Sequence, residues 1–217
     1  MSAGQRLRHN PIPANAPPDG FSRTLIYFPI VHTQADMGAL QESVARATLE
    51  KAGRARLARK TAAIDQIWTE IEAAIDALAL SFERVRLYQD GLPVCGREVE
   101  IVTELAQAGS RNHQLLVRLM AQGAVLMGTE SGDLLVQEYQ FARQALTARP
   151  PRAAGVAAAR RALGEALLQR RDQFMAQRIN ETLKNSETGI LFLGMLHSLE
   201  QHLHADVLVI YPLRRSR

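Results

Sequence analysis

Short apolar runs alternate with longer amphipathic segments along this chain. The apolar runs are rich in Val, Ile, Leu and Phe, and they predict strands at about 24–31, 85–88, 124–127, 189–194 and 207–210. The segments between them repeat apolar residues at intervals of three and four, which is typical of helices packed on a core. This alternation predicts an α/β fold with a mostly parallel sheet of about five strands and helices on both faces.

The predicted helices differ in how much apolar surface they present. The region after the first strand has a polar first half, Lys51 to Lys60, which we expect to be a long exposed helical region. Ser131 or Asp133 can cap a helix after the third strand, and Asn112 can cap the helix before that strand. A long helix is predicted at about 156–184. The second half of the first helical region has an apolar stripe formed by Ile64, Ile67, Trp68, Ile71, Ile75 and Leu78.

The two ends of the chain differ in composition from its middle. Residues 1–22 are rich in proline and lack periodicity, so we expect a disordered arm. Residues 23–213 have the length and apolar content of one α/β domain, and residues 214–217 form a basic tail. No secretory signal and no continuous apolar run of membrane-spanning length is present, so no membrane association is expected.

Charge and cysteine content narrow the classes of partner and compartment. The formal net charge is +4, and the excess of basic residues is spread over the chain without interleaved aromatic residues. We therefore expect no nucleic-acid partner. Cys95 is the single cysteine, which excludes an intrachain disulfide and favours a cytoplasmic location.

Polar side chains follow four of the predicted strands at the point where each ends. His32 follows the first, Asp90 the second, Glu130 the third and His197 the fourth. Because the carboxyl ends of parallel strands meet at one edge of a sheet, these residues are predicted to converge there. Each also has a structural alternative, since aspartate is common in turns and glutamate is stabilising near a helix N-terminus.

Two imidazoles with carboxylates form a donor set that suits zinc, manganese, iron or cobalt. We therefore predict a divalent metal bound by His32, His197 and Glu130. Such an ion lowers the pKa of its bound water and so supplies a nucleophile near neutral pH. Glu130 or Asp90 would complete the shell or act as general base.

One charged residue interrupts an apolar row on the long C-terminal helix. Arg171 lies midway in the row of residues spaced by four from Leu167 to Leu183. A guanidinium on a buried face needs a partner, and Glu130, Asp90 or an anionic ligand are the candidates. We assign Arg171 a catalytic role, in which it binds an anionic substrate group or stabilises an oxyanion. The alternative is a side chain that extends past the edge of the stripe into solvent.

The C-terminal part of the chain carries a recognisable pattern of short motifs. Arg171-Asp172-Gln-Phe-Met175-Ala176, followed by Gly194-Met-Leu-His197, resembles a segment of the TraB/TIKI proteins. These are related to the ChaN-like and erythromycin-esterase-like proteins. The resemblance implies an α/β fold with His, Glu and Arg gathered at the strand ends. By position, Arg171 matches the helix arginine, and His197 and His32 match the motif histidines, with Pro29 where the first motif has glycine.

The resemblance also carries expectations about activity. Members of that superfamily with an assigned activity include metal-dependent proteases and an esterase, while others bind or regulate. We therefore expect a metal-dependent hydrolase of a peptide or ester bond, with a small-molecule or peptide substrate. The alternatives are a non-enzymatic binding or regulatory protein that retains the fold, and a carrier of haem or a small ligand. A homodimer is left open.

Overall fold

The computed structural model describes residues 20–30, 54–147 and 154–213. His32, the predicted arm up to residue 19 and the basic tail lie outside the described residues. The strands are β1 (Arg23–Ile30), β2 (Val85–Gln89), β3 (Val125–Met127), β4 (Thr188–Gly194) and β5 (Val207–Ile210). The helices are α1 (Arg54–Asp76), α2 (Glu98–Gln107), α3 (Arg111–Ala121), α4 (Gly132–Thr147) and α5 (Ala154–Thr182), with 3-10 turns at Phe82–Arg84 and Glu200–His202.

The five strands form one sheet in the order β3-β2-β4-β1-β5, and every pairing is parallel. The longest ladder joins β1 to β4, from Thr24 opposite Thr188 to Ile30 opposite Gly194. These two strands are apolar at nearly every position because both of their faces are covered, as is usual for the central strands of a parallel sheet. The predicted fold class is confirmed.

Two separate cores cover the two faces of the sheet. Ile26 and Phe28 of β1 point into a core formed with α1, α2 and α3. Leu25, which points to the opposite face, packs into a second core formed mainly with α5. Trp68 and Ile71 of the predicted apolar stripe are at most 1% exposed, which confirms the stripe. The helices in the two cores confirm the prediction of helices on both faces of the sheet.

Local capping differs from the prediction at one helix and agrees with it at another. Ser110 caps α3 by accepting a hydrogen bond from the backbone N–H of His113, so the predicted cap at Asn112 is wrong. The helix begins before Asn112, whose side chain is buried. At α4, Ser131 accepts from the N–H of Leu134 at 3.4 Å, which confirms the first of the two predicted caps.

The path of the chain across the sheet reverses after β3. α1 connects β1 to β2, and α2 and α3 connect β2 to β3, all on one face. α5 lies on the other face, and Leu199 in the connection from β4 to β5 packs into the same second core. The described parts of the connections that leave β1 and β4 therefore lie on opposite sides of the sheet. In open α/β sheets such a reversal leaves a crevice at the carboxyl ends of the strands, where ligands bind. Within the described ranges, no helix combines the length and apolarity needed to cross a bilayer.

Candidate functional site

A buried guanidinium lies at the centre of the carboxyl edge. Arg171 Nη2 lies 2.9 Å from Asp90 Oδ1 and 2.5 Å from Glu130 Oε1, while its Nη1 lies 2.7 Å from Glu138 Oε1. Asp90 follows β2, Glu130 follows β3, and Glu138 lies on α4. The predicted pairing of Arg171 with Asp90 and Glu130 is therefore found. We call these four side chains the arginine network.

Glu130 is held in the network by its own backbone as well as by its side chain. Its N–H donates to the carbonyl of Leu92, and its carbonyl accepts from the N–H of Val94, each at 2.9 Å. Its carboxylate also accepts from the N–H of Gly91 at 3.3 Å. Gly91 has a φ of +78°, a left-handed conformation that favours glycine, so the turn after β2 depends on this residue.

Asp90 joins the arginine network to the end of the neighbouring strand. Its Oδ1 binds Arg171, while its Oδ2 accepts from the backbone N–H of Gly194 at 2.9 Å. The same Oδ2 lies 3.6 Å from His197 Nε2. One carboxylate thus contacts the last residue of β4, the imidazole that follows β4 and the guanidinium on α5. Of the residues predicted to converge at this edge, Asp90, Glu130 and His197 are found there.

The imidazole of His197 is fixed by a second carboxylate from α5. Its Nδ1 lies 2.5 Å from Asp172 Oδ1, and Asp172 Oδ2 accepts from the backbone N–H of Ser198 at 2.9 Å. The His197 side chain is 5% exposed, so this pair is largely shielded from solvent. With Nδ1–H donating to Asp172, Nε2 of a neutral ring carries the free lone pair.

Among the buried groups at this edge of the sheet, carboxyl groups outnumber arginines. Asp90, Glu130 and Asp172 are buried there beside Arg171. Burial raises the pKa of Glu130, and the nearby charge of Asp90 adds to this, so that together they outweigh the attraction of the guanidinium. Burial alone would lower the pKa of Arg171, but its hydrogen bonds to Glu130 and the surrounding carboxylates raise it above its ordinary value. Arg171 therefore stays charged.

A small cavity of about 100 Å³ opens beside the imidazole. We call it the tyrosine crevice, and its polar lining comes from Tyr27, His197, Ser198, Glu200 and Tyr211. Burial raises the pKa of Tyr27 to about 12, and the charges of three surrounding carboxylates contribute to the same shift. Its hydroxyl is therefore neutral at physiological pH and can donate a hydrogen bond.

The predicted metal site is only partly within the described residues. Both oxygens of Glu130 accept hydrogen bonds from Arg171, and His32 lies outside the described residues. Among the residues that the structure describes, no group of three or more His, Cys, Asp or Glu side chains could hold a metal ion. His197 Nε2 and Asp90 Oδ2 are the neighbouring donors that remain, 3.6 Å apart. We therefore derive no chemical step through a metal.

Several residues of the site, among them Asp172, Glu138 and Tyr27, had no role in the sequence-based prediction. Asp172 left a usable signal, because its spacing to Ala176 and Ile179 places it on the buried side of α5. Glu138 and Tyr27 left no such signal in the sequence, because a glutamate on a helix and a tyrosine in a strand are both common without a functional role. Their positions depend on contacts between distant elements.

Comparisons with protein-family models, with curated proteins and with solved structures found no match. The resemblance to the TraB/TIKI proteins is therefore carried by the short motifs around Arg171 and His197, and it stays a prediction.

Replacing Arg171 tests whether the arginine network stabilises the fold. Arg171→Met leaves Asp90 and Glu130 buried without a counter-charge, so we expect the free energy of unfolding to fall by about 3–5 kcal/mol. Urea denaturation followed by circular dichroism measures this. The matched control is Arg170→Met, at an exposed neighbouring position, which should change stability by no more than about 0.5 kcal/mol. Equal effects of the two substitutions would contradict the interpretation.

The raised pKa of Glu130 predicts a specific pH dependence of stability. The folded state binds the Glu130 proton more tightly than the unfolded chain does, so this contribution is complete below the ordinary glutamate pKa of about 4.3. It is lost as the pH rises through the higher pKa of the folded state. The stability of the wild type relative to Glu130→Gln should therefore decrease from about pH 4 towards neutrality, measured by urea denaturation. Glu165→Gln, at an exposed position, is the control. A difference that grows with pH would refute the assignment.

Proposed function

We propose that this protein is a hydrolase of ester or peptide bonds in which His197 is the general base. The observation that carries the proposal is the hydrogen bond of 2.5 Å between His197 Nδ1 and Asp172 Oδ1, beside a cavity that the imidazole lines. A carboxylate on one imidazole nitrogen orients the ring and leaves the other nitrogen to exchange protons with a substrate.

The proposed reaction uses His197 Nε2 twice. Nε2 first takes a proton from a water molecule as the water oxygen attacks the carbonyl carbon of the substrate. The resulting imidazolium is stabilised by Asp172 on Nδ1 and by Asp90 Oδ2, which lies 3.6 Å from Nε2. The carbon–oxygen or carbon–nitrogen bond then breaks, and Nε2 returns the proton to the leaving group.

In this proposal Arg171 is a positioning residue. Each of its three guanidinium nitrogens already contacts a carboxylate of Asp90, Glu130 or Glu138. Its effect on the reaction passes through Asp90, whose orientation it fixes beside the imidazole. This replaces a direct role in binding an anionic substrate group, which the sequence suggested.

The proposal also includes the substrate class, the cellular location and the family resemblance that the sequence predicts. A small-molecule or peptide substrate suits a cavity of about 100 Å³ that accepts one end of a larger molecule. The single cysteine supports a cytoplasmic location. Kinship with the TraB/TIKI proteins is supported by the motifs on α5 and after β4.

Substitutions of the His–Asp pair test the proposed base. His197→Asn keeps a donor for Asp172 but lacks a base, and Asp172→Asn loses the orienting charge, so each should lower kcat/KM by about 10²- to 10⁴-fold. Hydrolysis of p-nitrophenyl esters and of fluorogenic peptides measures this, with folding checked by circular dichroism.

The control for these substitutions is His202→Ala, because His202 lines a different surface depression. It should retain wild-type kcat/KM. Equal loss in all three variants, or full activity in His197→Asn, would contradict the proposal. A folded wild type that turns over no member of the panel would favour the binding or regulatory role instead.

Metal analysis tests the sequence-based prediction of a divalent metal. If His32 and His197 share an ion, anaerobically purified wild-type protein should hold about one manganese, cobalt, zinc or iron per chain, and either His→Ala variant should lose it. Inductively coupled plasma mass spectrometry gives the amounts. The same negligible content in all three proteins would make the metal prediction wrong and leave the proposal for His197 as general base in place.

A further inference from the structure

Two tyrosines meet on one face of the sheet at the tyrosine crevice. Tyr27 is on β1, and Tyr211 directly follows β5. The β1–β5 ladder pairs Ile26 with Ile210, so the next residue on each strand brings the two tyrosines side by side. Their ring centroids are 4.9 Å apart with the planes tilted by 47°. Together they give the crevice an aromatic wall.

The charges around this wall are negative. Glu200 lines the crevice and accepts a hydrogen bond from the Tyr211 hydroxyl. The negative charges of Asp90 and Asp172 also contribute to the raised pKa of the Tyr27 hydroxyl. No lysine or arginine is among the described residues that line the crevice. The buried guanidinium of Arg171 is bound to the carboxylates of its own network.

The remaining lining of the crevice is apolar. It consists of aliphatic side chains, namely Leu25, Leu191, Leu199, Leu203 and Val209. A volume of about 100 Å³ with such a floor suits a compact group that carries methyl or methylene carbons. Aromatic faces attract cations, and the attraction is stronger when the cation is desolvated, as an alkylated ammonium readily is.

We propose that the tyrosine crevice binds a small organic cation, an alkylated or protonated ammonium group carried by the substrate. The inference rests on the proposed function, because the imidazole of His197 lines the same crevice and would act on a bond next to the bound cation. Tyr27 and Tyr211 supply the aromatic faces, and Glu200 supplies the charge. These three residues therefore determine substrate specificity.

Binding is tested without turnover, with choline chloride as the cation and 3,3-dimethyl-1-butanol as its neutral counterpart of the same shape. In ¹H–¹⁵N NMR spectra of the full chain, choline should shift signals of residues 197–203 and 207–211. We expect it to bind about 3- to 30-fold more tightly than the neutral alcohol. Sodium chloride at equal concentration is the control for ionic strength. Equal shifts by the two probes, or none with choline, would overturn the inference.

Matched variants locate the binding to the crevice. Tyr211→Phe keeps the aromatic face and should keep choline binding, whereas Tyr211→Leu should weaken it by about 3- to 30-fold. Glu200→Gln should also weaken it, and Glu165→Gln, on the exposed side of α5, should not. Unchanged affinity in both Tyr211→Leu and Glu200→Gln would overturn the assignment of the site.

A kinetic comparison separates this inference from the proposed hydrolase. The ratio of kcat/KM for acetylcholine to that for the neutral 3,3-dimethylbutyl acetate should exceed one, and it should fall in Glu200→Gln. If both esters are cleaved at equal rates, the hydrolase stands and the cation site is wrong. If choline binds but neither these esters nor the p-nitrophenyl esters and fluorogenic peptides are cleaved, the cation site stands and the proposed function is wrong.

Discussion

The ion pairs of Arg171 are the interaction on which the rest of the carboxyl edge depends. One guanidinium contacts carboxylates that follow β2 and β3 and a third on α4. A buried charge without its partner is strongly unfavourable, so these elements must dock together before any of the groups is satisfied. The turn after β2, the end of β3 and the α4–α5 pair are therefore fixed relative to one another by a single side chain.

The geometry of His197 follows from that arrangement. Asp90 is oriented by Arg171 on one oxygen and meets the N–H of Gly194 and the imidazole on the other. Asp172 approaches the same ring from α5. The arginine network and the His–Asp pair thus form one continuous polar chain, which runs from the interior to the tyrosine crevice.

Much of this arrangement could be predicted because it depends on local patterns. Continuous apolar runs mark buried parallel strands, so β1 and β4 were predicted to within one residue at either end. The polar residues that follow such strands converge by topology, which placed Asp90, Glu130 and His197 at one edge. Arg171 stood out because a charge within an apolar row requires a partner.

The parts that could not be predicted depend on contacts between distant elements. The position of Tyr27 beside Tyr211 follows from the pairing of the first strand with the last, which no local pattern encodes. Glu138 faces Arg171 only because α4 packs along α5. The cap of α3 was misplaced because Ser110 and Asn112 are equally good capping residues, and the packing of α3 decides where the helix begins.

Arg171 and Asp172 are neighbours in sequence, yet they bind different partners. Arg171 pairs with the carboxylate of Asp90, whereas Asp172 pairs with the imidazole of His197. Each residue added to an α-helix turns everything beyond it by about 100°. An insertion between these two residues and the buried end of α5 would swing both charges away from the sheet at once, whereas a substitution on the exposed side of α5 would move neither. The site therefore depends on the length of this segment and on its buried residues, and much less on the composition of its exposed side.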